Sequence, residues 1–141
     1  MNKILVPTDG SDHARRAIAC ACDLASRYGA TVCLLHVVSP PPVLFHEGAF
    51  AIPDVQNALE EDGKKIAEEA EREAKRSGVK DVKTIVIYGN PASEIIRFAG
   101  DEAVDMIVMG SRGLTGVKEF VLGSVSHRVS HLAPCTVTIV K

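Results

Sequence analysis

The sequence predicts an α/β protein built on an open, doubly wound, five-stranded parallel sheet in the order 3-2-1-4-5, with helices on both faces. Three observations predict it. Runs rich in Val and Ile (KILVP, TVCLLHVV, VKTIVIY, VDMIVM, CTVTIVK) alternate with longer stretches of helical period, the pattern of repeated β-α units. The run TVCLLHVV is apolar on both faces, as in an internal parallel strand. The length of 141 residues fits a single domain, 1–141, large enough to enclose a substantial core. Right-handed crossovers then give the strand order if the chain starts in the middle, builds outward one way, and returns to build the other.

The first strand is Lys3 to Pro7. Ser11 is a candidate N-cap for a helix whose apolar face runs through Ala14, Ala17, Ile18, Ala21, Leu24, Ala25 and Tyr28, and Gly29 ends it. Thr31 to Val38 is the second strand. Ser39 to Asp54 contains three consecutive prolines at 40 to 42, which neither a helix nor a central strand can accommodate, so this is one long loop. A charged helix follows from Val55 to about Arg76, with Val55, Leu59, Ile66 and Ala70 facing inward, Gly63 a weak point, and the charges of 60 to 76 on the solvated side. Val82 to Tyr88 is the third strand. Asn90-Pro91 reads as an N-cap and a proline at the first helical position, with Ile95, Ile96 and Ala99 buried. Val104 to Met109 is the fourth strand, Ser124 to Leu132 a helix stopped by Ala133-Pro134, and Cys135 to Lys141 the last strand.

Composition removes several classes of function. The formal net charge is -2, no Lys/Arg stripe is interleaved with aromatics, and there is no Trp, so a nucleic-acid surface is not expected. No run approaches the roughly 20 apolar residues that span a bilayer, so no membrane role is expected either. Met1-Asn2-Lys3 leads straight into ILVPTDG, too short an apolar run for a signal peptide, which predicts a cytoplasmic location. Cys20, Cys22, Cys33 and Cys135 lie among apolar neighbours and read as free, buried thiols. Cys20 and Cys22 would not face the same way on a helix. His127 and His131 sit one helical turn apart but lack a third ligand in sequence, and His36, within LLHVV, reads as a buried hydrogen-bonded residue.

Chemistry concentrates in GSRGLTGVKEFVLGSVSHRV, Gly110 to Val129. In the predicted order, strands 1 and 4 are neighbours at the point where the topology reverses, and ligands of such sheets bind beyond the carboxyl ends of the strands there. PTDGS after strand 1 and GSRG after strand 4 therefore meet at one crevice. Gly110 and Gly113 allow a tight turn with exposed amides. Gly123-Ser124 opens a helix whose first amides have no internal partner and lie at the positive end of its dipole, and Ser124 and Ser126 add hydroxyls. The spacing G-x2-G-x9-G-S between a strand and a helix points to a phosphate cradle. Asp9 suits either of two roles, an acceptor for ribose hydroxyls or a base amine, or a cap on the first helix.

The chain resembles the universal stress protein family over essentially its whole length, through ILVPTDGSDHA, LLHVV, GNPASEI, VDMIVMGSRG and the ungapped G-x2-G-x9-G-S of the family's ATP-binding branch. The resemblance implies a doubly wound fold, a homodimer through the last strand, and ATP in the crevice; Mg or Mn bridging its phosphates is expected beside it, since Mg²⁺ often takes few protein ligands. Gly110, Gly113, Gly123, Ser124 and Ser126 would surround the phosphates, with Ser111 and Arg112 nearby. Pro7, Thr8, Asp9 and Val37 would line the adenosine end. Met109, Thr115, Gly116 and Val125 complete the expected binding set.

A P-loop G-x4-G-K-[ST], a dinucleotide GxGxxG, an SGGxDS loop and an HxGH motif are all absent from the sequence, and no base is evident that would position a water at the γ-phosphate. The leading expectation is an ATP-binding regulatory protein acting as a nucleotide-dependent switch. Its alternatives are a slow ATPase or phosphoryl-transfer enzyme recruiting Asp9, Arg112, Lys118 or His127, and a nucleotide-free interaction protein. An Asp9 phosphoacceptor fits poorly, because response regulators carry theirs after the third strand.

Overall fold

The computed structural model describes residues 1–39, 53–114 and 122–141. Its elements run β1 (Lys3–Pro7), α1 (Asp12–Tyr28), β2 (Thr31–Val38), α2 (Pro53–Arg76), β3 (Val82–Tyr88), α3 (Pro91–Asp101), β4 (Met106–Gly110), α4 (Ser124–Leu132) and β5 (Thr136–Val140). The five strands form one parallel sheet in the order β3-β2-β1-β4-β5, as the sequence predicts. Among the described residues no helix is long and apolar enough to cross a membrane.

Strand alternation divides the core in two. Ile4, Val6, Val32, Leu34 and Val108 point to one face, where Ala17, Ile18, Ala21 and Cys22 of α1 and Ala70 and Ala74 of α2 cover them. Leu5, Cys33, Leu35, Ile107 and Met109 point to the other, under Ala92, Ile95 and Ala99 of α3 and Val129 of α4. Burying each large aliphatic side chain of these layers stabilises the fold by about 1.5–3 kcal/mol. The cysteines are free, with Cys22 and Cys33 buried and Cys20 and Cys135 partly so. Burial pushes the thiols of Cys22, Cys33 and Cys135 up, which disfavours the reactive thiolate.

The helix boundaries follow local chemistry. Ser11 caps α1 by accepting the Ala14 amide at 3.2 Å, and Asn90 caps α3 by accepting the Ser93 amide at 3.1 Å, with Pro91 at the start. Four expectations need correction. Tyr28 is 60% exposed and does not belong to the buried face of α1, which runs through Ala14, Ala17, Ile18, Ala21, Cys22 and Ala25. α2 begins at Pro53, two residues early, because a proline needs no amide partner in a first turn. β4 begins at Met106, since the Val104 amide turns back to the Ala99 carbonyl at 3.0 Å and closes α3 instead. β5 is likewise shorter at both ends than the expected 135–141. The prolines at 40 to 42, and most of the expected loop, lie outside the described residues.

The inner line of α2 is also narrower than expected. Its buried residues are Gly63, Ala67, Ala70 and Ala74, while Val55, Leu59 and Ile66 are only partly covered. Gly63 is therefore a point of close approach, not of weakness. A Cβ there would lie 2.8 Å from Val38 Cγ2 and 3.4 Å from His36 Cδ2. His36, buried as expected, hydrogen-bonds through Nδ1 to the Thr8 carbonyl at 2.8 Å.

At the opposite end of the strands, one Asp105 carboxylate oxygen accepts the amides of Asn2 at 2.7 Å and Lys3 at 2.9 Å. Lys3 donates to the Glu102 side chain at 2.9 Å. These contacts pin the start of β1 to the start of β4.

Two outcomes are expected. Gly63→Ala gains about 0.5–1 kcal/mol of helix propensity but overpacks a stiff, buried Val38, which costs about 1–3 kcal/mol. Chemical denaturation should show a net loss, reversed in a Val38→Ala background. The two amides hold the Asp105 pKa below its ordinary value, so its contribution is present at neutral pH and is lost as pH falls through that depressed pKa. Asp105→Asn should flatten the acid limb of a stability-against-pH curve.

Candidate functional site: a cleft at the parting of strands 1 and 4

The β1–β4 ladder runs through Ile4↔Met106 and Leu5↔Ile107. Beyond it the strands go separate ways. The Thr8 amide turns to the Leu35 carbonyl of β2 at 2.9 Å, while the Ser111 amide turns to the Val140 carbonyl of β5 at 2.8 Å. A cleft of about 470 Å³ opens between them, within the usual range of about 300–1,000 Å³ for small-molecule sites.

Its wall from β1 is Pro7, Thr8 and Asp9, and its floor is Leu35, Val37 and Met109. Pro91 and Ile95 of α3 close one side. The opposite rim is Gly110, Arg112, Gly113 and Leu114, followed by Gly123, Ser124, Val125 and Ser126 at the start of α4. One end is thus apolar and the other is rich in backbone amides. Of the residues expected from sequence, Ser111 does not line the cleft, and Thr115 and Gly116 lie outside the described residues. Ala14, Leu35, Ser39, Pro91, Ile95 and Leu114 also line it and were not foreseen. Leu35 shares a face with Val37 two residues on, and α3 starts at the carboxyl end of β3, so alternation and topology carried a signal for three of them.

Asp9 ties the two loops together. Oδ1 accepts the Ser11 amide at 3.0 Å, and Oδ2 accepts the Leu114 amide at 3.1 Å. The cap on α1 is Ser11, so the capping role weighed for Asp9 falls to its neighbour. Asp9 instead bridges the loop after β1 to the loop after β4.

The glycines divide by what they touch. A Cβ on Gly110 would lie 2.7 Å from His13 Cβ and 2.8 Å from the His13 carbonyl carbon, and one on Gly113 would lie 2.5 Å from Asp9 Oδ2. The protein's own packing accounts for both. Gly123 is different: its φ of -60° is ordinary, and a Cβ there would meet nothing closer than 3.5 Å. Neither strain nor crowding requires a glycine at this position.

Gly123 is the N-cap of α4, and it supplies no side-chain hydrogen bond to the helix. Its own amide donates to the Ser111 carbonyl at 2.9 Å, and the first intrahelical bond is His127 N to Gly123 O. The Ser126 hydroxyl is shared between the carbonyls of Ser111 at 3.0 Å and Gly123 at 2.9 Å. The amides of Ser124, Val125 and Ser126 have no partner among the described residues. α1 and α3 each pair one first-turn amide with a side-chain cap, Ala14 with Ser11 and Ser93 with Asn90, whereas α4 has no side-chain cap and faces the cleft with its positive end open.

Further along α4, the His127 and His131 rings lie 4.5 Å apart, and His131 Nδ1 donates to the His127 carbonyl at 3.0 Å. Among the described residues no three His, Cys, Asp or Glu side chains gather as a metal site.

The family model described as the universal stress protein family matches residues 1–141. Universal stress protein YxiE of Bacillus subtilis (strain 168) is 40% identical, the alignment covering 99% of each chain. The structure of MJ0577, a universal stress protein of Methanocaldococcus jannaschii, superimposes with a TM-score of 0.85 at 36% identity, covering 99% of this chain and 95% of that one. A universal stress protein in complex with cAMP superimposes with a TM-score of 0.73 at 25% identity, covering 99% and 95%. By its whole-length match and its fold, this chain belongs to the universal stress protein family.

Proposed function

We propose that this chain binds ATP in the cleft between β1 and β4 and acts as a nucleotide-dependent regulatory protein. The observation that carries this reading is the start of α4. Three adjacent amides face a cleft at the positive end of a helix, behind a residue whose missing side chain the protein's own packing does not require. An anion there gains hydrogen bonds and dipole stabilisation together. The phosphates would lie against Gly123, Ser124, Val125 and Ser126, along the Gly110 to Gly113 turn and beside Arg112. The adenosine would lie over Val37 and Met109, between Pro7 and Pro91. The cAMP complex of a family member supports an adenine nucleotide as the class of ligand.

Magnesium or manganese would be carried by the phosphates and water, since Mg²⁺ takes few protein ligands, and it would offset the charge of Asp9. Binding is proposed without turnover because the sequence carries no P-loop and no evident base to position a water at the γ-phosphate. Asp9, each of whose oxygens accepts a backbone amide, is assigned the role of a strut between the two loops. Homodimerisation is proposed through β5, which has β4 on one side only and presents its other edge for pairing.

Gly123→Asp separates ligand binding from folding. An aspartate N-cap stabilises α4 by a few tenths of a kcal/mol relative to glycine, yet places a carboxylate where the phosphates would lie. Calorimetric titration with magnesium ATP should show at least about a ten-fold loss of affinity, while the melting temperature holds or rises. Unchanged affinity contradicts the site. Light scattering at micromolar concentration should give the mass of a dimer, and the monomer mass contradicts pairing through β5.

A further inference from the structure

Ser111 sits behind the cleft wall, 7% exposed. Its hydroxyl is hydrogen-bonded to Nδ1 of His13, in the first turn of α1, at 3.2 Å. Its backbone holds three more groups. The amide donates to the Val140 carbonyl at 2.8 Å, and the carbonyl accepts the Gly123 amide at 2.9 Å and the Ser126 hydroxyl at 3.0 Å. The peptide from which α4 hangs is therefore itself held by a side chain of α1. Gly110 makes this possible, because any Cβ there would displace the His13 backbone.

We propose that His13 is a positioning residue for the nucleotide cradle. By holding the Ser111 hydroxyl it fixes the carbonyl on which Gly123 and Ser126 hang, and through them the direction of the open amides of α4. This rests on the nucleotide-binding reading above. His13 does not line the cleft, so its effect on a ligand passes through Ser111. Hydrogen bonds weaken steeply off line, and a site works only when its supporting contacts hold the binding groups to about half an ångström. One neutral hydrogen bond of this kind is worth about three- to ten-fold in an equilibrium constant.

The test uses the full chain and the variants H13A, S111A, the double variant and H13N, whose amide places a polar atom near the imidazole Nδ1. In ¹⁵N–¹H spectra of the nucleotide-free protein, H13A and S111A should displace the signals of Gly123, Ser124, Val125 and Ser126, and H13N should return them toward wild type. Displacements confined to α1 and the end of β4 would overturn the proposal, whether or not a nucleotide binds. In titrations with magnesium ATP, each single variant should bind about three- to ten-fold more weakly, the double variant no more weakly than either, and H13N within about two-fold of wild type. Additive losses, or single variants that bind like wild type, overturn it. Failure of the wild type to bind would sink the functional reading, while the spectra still decide the relay. If H13A does not fold, S111A and H13N provide both readouts.

Discussion

The start of α4 is the constraint on which the site depends. A helix that begins with a glycine cap leaves first-turn amides unsatisfied unless water or a ligand reaches them. α1 and α3 each pair one such amide with Ser11 or Asn90, so the start of α4 differs from theirs in having no side-chain cap. The sheet explains where the opening lies. β1 and β4 separate after two paired residues because Thr8 is drawn to β2 and Ser111 to β5, and the helix that returns to β5 starts above that gap.

Rigid contacts then hold the two sides of the gap at a fixed distance. Asp9 spans it, one oxygen on each loop. His36, pressed beneath Gly63, holds the Thr8 carbonyl from below. The His13–Ser111 pair holds the far rim. Each is a polar contact made by a side chain from a neighbouring strand, loop or helix. The cleft is thus assembled from the same contacts that join α1, α2 and β2 to the carboxyl ends of β1 and β4, and nucleotide affinity and local stability should respond together to changes in that shell. Gly123 joins that shell only through its backbone amide and carbonyl, which is why a side chain added there can separate the two properties.

Much of the fold was legible in the sequence because its signals are local. Strand runs, the Ser11 and Asn90 caps and the strand order all follow from patterning and short-range chemistry. The convergence of PTDGS and GSRG was legible too, because topology alone brings those loops together. What was not legible depends on three-dimensional neighbours. Gly63 looked like a weak point in a helix until Val38 was found beneath it. Ser111 belongs to the motif by position, yet its side chain turns away toward His13. Gly110 and Gly113 suggested room for a ligand, whereas His13 and Asp9 already occupy the space beside them. Spacing shows where glycines recur but not what each avoids: a Cβ would meet His13 at Gly110 and Asp9 at Gly113, but nothing closer than 3.5 Å at Gly123.

The central claim is that the open amides of α4 receive a phosphate. Adding magnesium ATP to ¹⁵N-labelled protein tests it most directly. The amide proton signals of Ser124, Val125 and Ser126 should move furthest and downfield, as N–H groups do on bonding to an anion. If those three stay in place while signals elsewhere respond, the nucleotide binds somewhere other than the start of α4, and the claim fails.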